Sequence, residues 1–502
     1  MAETFEDFGD QFILARGSRQ FPPQWKVREH AGWFLATHPH LPVLGVEMGS
    51  GVTAGWLLGY PIADGRLMRG GEVLRLEEPL DEARLEDQLY RVGGRFAFVL
   101  PDEKISRLYL DPFGTLSATY STESHVLAST TTLIEWVESR GNGSFPDRRE
   151  HGANKPTLAP NHFYPAGLTH NPKIRRLLPN HYLDLGSWQV VRHWPKGRFE
   201  QVAEGEIEGQ VETIVGALRS TIGAVTSECM TYLPLTSGRD SRMLLACAKE
   251  SLEKVRFVTF DYGESVHSDI DTHTALRLGR TFRLDHILVP IEPAASDDEA
   301  NYLFRIGYSG NPGKARDFYK ACAQHLDSGR AWLTGFAGGI GRANYWSPDL
   351  AEIDGRLSSL GLIARLDLSG SQPTKAAMEE WVSGLPELDA WSVMDLLFLE
   401  QRVGCWSSPH LYGVAPFRLN LLPFCDRRIV DASLRLPISY RSRKQLADDM
   451  IALAWPELGA FPYHSFTGMR RIWDLRPMWK PGVRSLARAA SKLKRMVVVR
   501  NA

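Results

Sequence analysis

The segment that most constrains this chain runs Met230-Thr231-Tyr232-Leu233-Pro234-Leu235, then Thr236-Ser237-Gly238-Arg239-Asp240-Ser241-Arg242, then Met243-Leu244-Leu245-Ala246-Cys247-Ala248-Lys249. An apolar run of strand length passes, without a spacer, through a short turn into strong helix formers. Such a turn lies at a helix N-terminus, where free backbone N–H groups and the positive end of the helix dipole face outward. Gly238 and the small hydroxyl residues let an anion approach the main chain, so a phosphate or pyrophosphate suits the turn. Simple capping of the helix by Ser237, Asp240 and Ser241 accounts for the same residues, because Ser and Asp are ordinary N-caps.

Two neighbouring features favour a ligand turn. The run Val255-Arg256-Phe257-Val258-Thr259-Phe260 follows at a βαβ distance and leads to Asp261-Tyr262-Gly263-Glu264 and a helix begun by Ser268-Asp269. Strands and helices that alternate in this way predict a parallel sheet covered on both faces, with ligands beyond the carboxyl ends of its strands.

Before His193-Trp194-Pro195 the pattern is different. Short apolar runs such as Gly32-Trp33-Phe34-Leu35-Ala36, Pro42-Val43-Leu44-Gly45-Val46, Gly55-Trp56-Leu57-Leu58-Gly59 and Gly94-Arg95-Phe96-Ala97-Phe98-Val99-Leu100 read as strands. A Pro/Gly/Asn-rich stretch over 141–161 predicts a loop. Helical periodicity first appears over 207–225, in Val211, Ile214, Val215, Leu218 and Ile222. A chain of 502 residues exceeds what one core usually organises. The expected division is a β-rich domain over 1–200, an α/β domain over 201–480 and a tail over 481–502, with no internal repeat.

With 58 basic and 59 acidic residues the formal charge is -1, so nothing global draws the chain to nucleic acid or an anionic membrane. That balance also argues against a nucleotide-dependent transferase acting on tRNA. Cys229, Cys247, Cys322, Cys405 and Cys425 are scattered, odd in number and without metal-ligand spacing, which reads as reduced cytoplasmic thiols. The acidic N-terminus is unlike a signal peptide, and no apolar run reaches the roughly 18 residues of a membrane span. Over 483–500, Arg484, Arg488, Lys492, Lys494, Arg495 and Arg500 alternate with apolar residues. That tail reads either as a solvated helix or as a surface that docks on a membrane or partner.

The 236–242 turn resembles the Ser-Gly-Gly-x-Asp-Ser pyrophosphate loop of the asparagine-synthetase-like family. Further similarity lies in 257–286, with its Leu278-Gly279 turn, and in Pro423-Phe424-Cys425-Asp426-Arg427-Arg428-Ile429-Val430 followed by Leu436-Pro437 and Lys444. In the first half, Gly94-Arg95-Phe96-Ala97-Phe98, Leu110-Asp111-Pro112-Phe113-Gly114 and Ile174-Arg175-Arg176-Leu177-Leu178-Pro179-Asn180-His181 are similar to segments of that family's glutaminase half. The resemblance implies an Ntn-hydrolase-like α+β sandwich joined to a parallel α/β synthetase domain. Glutamine hydrolysis in the family needs a cysteine after the initiator Met, where this chain has Ala2, and the Asn-Gly-Glu segment is replaced by Leu58-Gly59-Tyr60-Pro61-Ile62. What remains resembles the scaffold of β-lactam synthetases and lasso-peptide cyclases.

The resemblance implies ATP and Mg²⁺ as cofactors, with Ser237, Gly238, Asp240 and Ser241 as the cradle and Asp240 as metal ligand. It further implies that Val258, Phe260 and Gly335 border the nucleotide. The family's second motif corresponds to Thr334-Gly335-Phe336-Ala337-Gly338-Gly339-Ile340-Gly341-Arg342, where its paired acids are replaced by Gly339 and Ile340. Asp261, Glu264 or Asp269 would have to supply a second carboxylate, and Arg239 and Arg342 are candidate fixed cations in the catalytic set, with surface or structural ion pairing as the alternative. The late family lysine corresponds to Tyr463 within Phe461-Pro462-Tyr463-His464-Ser465-Phe466, leaving Arg470, Arg471, Lys444 or His464 to provide charge.

Glu400, in an apolar helix beginning near Val393, is either a catalytic carboxylate or half of a buried Glu–Arg pair. Tyr345 and Trp346 read as packing residues near the Gly-rich turn. The function expected is an ATP-dependent ligase that adenylates a small-molecule or peptide carboxylate and joins it to an amine. The rival expectation is a family member that binds nucleotide or a partner without turnover.

Overall fold

The computed structural model describes residues 8–49, 51–78, 80–102, 104–139, 158, 162–263, 266–346, 357–413 and 417–464. Ala2, Glu264, Arg470, Arg471, the basic 483–500 segment and all of the expected 141–161 loop but Leu158 lie outside these residues.

Two sheets stack in the first half. One has six antiparallel strands in the order Ile174–Arg176, Thr119–Ser121, Val126–Ala128, Phe12–Arg16, Trp33–Thr37, Lys26–His30. The other has eight strands, centred on the long Thr53–Ala63 and Gly93–Pro101 pair; only Val43–Met48 with Val73–Leu76 runs parallel. Side chains alternate across each pleat. Phe12, Leu14 and Leu35 therefore meet Leu58, Val99 and Leu108 between the sheets. Ile13, Ala36 and Val126 face outward onto Leu133 and Ile134 of the helix Thr131–Glu138. Leu57, Phe96 and Phe98 similarly cover Leu85 and Leu89 of the helix Glu82–Leu89, which Asp81 caps through Arg84 N at 2.9 Å.

The second half holds a five-stranded, wholly parallel sheet, made by Thr231–Pro234, Val255–Asp261, His286–Pro290, Ala331–Leu333 and Leu419–Leu421. Numbered along the chain, its order is 3-2-1-4-5. The winding direction therefore reverses between the first and fourth strands, and ligands bind at such a reversal in doubly wound sheets. The helix Ile207–Thr226 buries Val211, Ile214, Val215, Leu218 and Ile222, the stripe its period predicts.

The change of pattern near residue 200 is not a gap in packing. The helix Ser296–Arg305 reaches back to the six-stranded sheet, where Gln11 Nε2 donates to Arg305 O at 2.9 Å and Thr132 Oγ1 to Phe304 O at 3.0 Å. Three segments also meet across the halves: Cys425 Sγ donates to Asp111 Oδ1 at 3.0 Å, and Gly94 N to Cys425 O at 2.8 Å. No helix among the described residues is long and apolar enough to cross a membrane.

Candidate functional site

The Thr231–Pro234 strand ends at the winding reversal, with Leu235 N donating to Val258 O at 2.8 Å. Gly238 then takes the N-cap position in extended conformation, and the helix Arg239–Cys247 begins. Gly238 has no side chain with which to cap, and the serines are engaged elsewhere. Ser241 Oγ closes the turn by accepting from Thr236 N at 3.1 Å, and Gly238 N donates to Thr236 Oγ1 at 3.1 Å. Ser237 donates its N–H at 2.8 Å, and its hydroxyl as well, to Asp271 Oδ1 on the helix Val266–Phe282. The first-turn N–H groups of Arg239, Asp240 and Ser241 lack intrahelical acceptors. Arg239 Nε is buried with no hydrogen-bond partner. These donors fit an anion.

The Gly-rich segment follows the adjacent strand, Ala331–Leu333, and closes on Asp240. A Cβ at Gly335 would lie 3.1 Å from Asp240 Cβ, and one at Gly338 would lie 3.0 Å from Asp240 Oδ1. Glycine at both positions permits this approach. Arg342 completes it, donating Nε to Gly338 O at 2.8 Å while its Nη2 forms an ion pair with Asp240 Oδ1. Burial pushes the Asp240 carboxyl above the usual range, against the opposing pull of Arg342 and Arg239.

The same turn leaves no room for acidic side chains at positions 339 and 340. A Cβ at Gly339 would lie 2.4 Å from Asn344 Nδ2 and 2.8 Å from Phe398 Cζ, and Ile340 is buried. Asp261 Oδ1 accepts from Gly263 N at 3.0 Å and Ser268 Oγ at 3.1 Å. Among the described residues no three His, Cys, Asp or Glu side chains could together hold a metal ion. With Asp240 already held by a guanidinium, these residues do not fit a protein-built Mg²⁺ site.

Asp271 and Arg242 are the members of this constellation that sequence reasoning missed. Arg242 is fully buried and donates to Ser237 O at 2.9 Å and to the carbonyls of Phe461 and Pro462. Burial pushes its guanidinium down to about 10. The Tyr463 ring stacks against both Arg239, 4.3 Å from its Cζ, and Arg242, at 4.2 Å. His464 N donates to Ser237 O at 3.2 Å. The late segment containing Tyr463 thus lies against the turn. Lys444, by contrast, is exposed.

Other candidates sit elsewhere. Val258 is fully buried in a cluster with Tyr232, Val289 and Trp332, while Phe260 packs on Phe318 with ring centroids 4.4 Å apart. Tyr345 and Trp346 pack against Phe398 and Trp391. Glu400 lies in a π-helical stretch, Leu397–Ser407, continuing the helix Ala390–Leu396. Its carboxylate accepts from Arg192 at 2.5 and 2.8 Å, Asn180 Nδ2 at 2.9 Å and Trp381 Nε1 at 2.7 Å. None of these partners belongs to the turn. In the first half, Asp10 receives both Arg95 Nη1 and Tyr60 OH at 2.7 Å, and Gly59 has φ +97°. The Cys425 thiol is pushed well up by burial and by Asp111.

Comparison of the chain with protein-family models finds no match, and neither does comparison with curated proteins.

Proposed function

We propose that this chain is an asparagine-synthetase-like, AMP-forming carbon–nitrogen ligase that works without glutamine hydrolysis, its first half serving as an Ntn-hydrolase-like scaffold. The observation that carries this reading is the convergence of two turns, 236–241 and 334–342, on Asp240 at the winding reversal of a parallel sheet. In the proposed reaction a carboxylate oxygen attacks the α-phosphorus of ATP and the bond to pyrophosphate breaks. An amine nitrogen then attacks the resulting acyl-adenylate; AMP leaves with the C–O electron pair, and the amine proton passes to solvent or a base. The N–H groups of Arg239, Asp240 and Ser241 would hold phosphate oxygens. Arg239 and Arg342 would supply fixed positive charge beside a turn that has Gly339 and Ile340 in place of acidic residues.

A second reading, nucleotide binding without turnover, is favoured by one observation: the ion pair that Asp240 already makes with Arg342. Quantifying AMP and pyrophosphate released from Mg-ATP, with pooled carboxylates and amines, separates the two. Release by wild type and its loss in Asp240→Ala supports the ligase. Nucleotide binding without release supports the second reading, and absence of binding sinks both.

A further inference from the structure

Amide formation makes the attacking nitrogen acidic, and a base with a free lone pair beside the turn would take its proton. His464 is folded into that place. Its N–H donates to Ser237 O at 3.2 Å and its φ is +49°, a left-handed conformation that residues other than glycine seldom adopt. The exposed imidazole thereby lies over the turn: a Cβ at Gly238 would be 3.4 Å from His464 Cε1 and 3.9 Å from Nε2. Gly238 is the N-cap of the helix Arg239–Cys247, and a cap side chain leads toward the N–H groups of the second and third helical residues, here Asp240 and Ser241. The ring occupies the space that glycine leaves and borders those donors.

Hydrogen bonding fixes which ring nitrogen is basic. The Ser237 hydroxyl has one proton and donates it to Asp271 Oδ1, since a carboxylate can only accept. The same oxygen lies 3.4 Å from His464 Nδ1, a long contact in which it can only accept. Nδ1 therefore carries the hydrogen, and Nε2 presents the lone pair. A proton gained at Nε2 makes an imidazolium that faces Asp271 through Ser237. The other charged groups around it are Arg239 and Arg242, both stacked on Tyr463, and Asp448, hydrogen-bonded to Tyr463.

We propose that His464 takes the proton of the attacking amine, with Ser237 and Asp271 as its positioning residues; the proposal rests on the ligase reading. As the N–C bond forms, the N–H electron pair stays on nitrogen and the proton passes to Nε2. AMP leaves with the C–O electron pair. The exposed ring then returns its proton to solvent.

The test uses the full chain and two readouts. Diethyl pyrocarbonate modifies neutral imidazoles, and peptide mass mapping reads His464 apart from the other histidines. Inorganic pyrophosphate, its binding followed by calorimetry, should slow His464 modification several-fold. The pH midpoint of that modification should fall by about half a unit or more in Asp271→Asn and in Ser237→Ala. In the AMP assay with pooled carboxylates, His464→Gln should lower kcat about a hundredfold with primary amines and change KM little. Hydroxylamine, largely unprotonated near neutral pH, should recover most of that rate. Circular dichroism melts establish that the variants are folded, and the protection by pyrophosphate needs no variant. Bound pyrophosphate that leaves His464 equally reactive, midpoints unmoved in both variants, or equal losses with both nucleophiles overturns the proposal and leaves the ligase reading standing. Absence of pyrophosphate binding and of AMP release in wild type sinks that reading, and the proposal with it.

Discussion

Arg342 forms an ion pair with Asp240 while its Nε holds the Gly338 carbonyl, so one guanidinium locks the Gly-rich turn onto the helix that follows the central strand. A metal ion approaching Asp240 has to displace that guanidinium. Arg342→Ala should therefore make nucleotide binding depend on Mg²⁺ about tenfold more strongly than in wild type, a shift of about 1.4 kcal/mol. Titration of a nonhydrolysable ATP analogue with and without Mg²⁺ measures this directly. An unchanged dependence would mean that the ion pair does not substitute for metal.

An acidic residue at position 339 should be resisted for a steric reason. Gly339→Asp places a Cβ against Asn344 Nδ2 and Phe398 Cζ, at 2.4 and 2.8 Å before relaxation, and buries charge beside them. We expect a loss of about 1–3 kcal/mol in urea unfolding, partly recovered in the double variant with Asn344→Gly. Wild-type stability in the single variant would show that the turn has more freedom than its packing indicates.

The parts of this architecture that were legible in the sequence are those with local determinants. The 207–225 stripe and the strand–turn–helix around Ser237 each declare themselves within a few residues, through period and helix propensity. Asp271 was not legible, because its role depends on a helix folding back 34 residues to meet Ser237. Arg242 needs partners more than 200 residues away, at Phe461 and Pro462. Val258 illustrates the converse: a strand covered on both faces hides side chains that its place in the sequence suggests are near a ligand. The helix Ser296–Arg305, which serves the other half's sheet, carries no local mark of that destination.

Glu400 separates the catalytic expectation from the structural one. Burial pushes its carboxyl up, but Arg192 and Asn180 outweigh burial and hold it below the usual range. Glu400→Ala strands Arg192 without its carboxylate and should cost about 3–5 kcal/mol. Glu400→Gln, which keeps one acceptor oxygen, for either Asn180 or Trp381, and fills the same volume, should cost less. Urea unfolding of both variants checks the order. A catalytic role would instead appear as lost turnover at wild-type stability.

Acid should destabilise this fold through histidines that are buried neutral. His410 is buried, its Nδ1 hydrogen-bonded to Tyr302 OH at 2.7 Å and its Nε2 without a partner. Burial, then Arg402 and Arg176, push it down to about 3, and His286 is pushed to about 4 mainly by burial. The unfolded chain takes up each proton near pH 6.5, whereas the folded chain resists until the lower value. The stabilisation is thus complete above about pH 6.5 and is lost as pH falls, at about 1.4 kcal/mol per unit for each such group. His410→Gln removes one of these groups, so its unfolding free energy should fall less steeply than wild type between about pH 6 and 4, by roughly that amount per unit. Urea melts across this range provide the comparison, and parallel curves for the two proteins would show that His410 titrates normally in the fold.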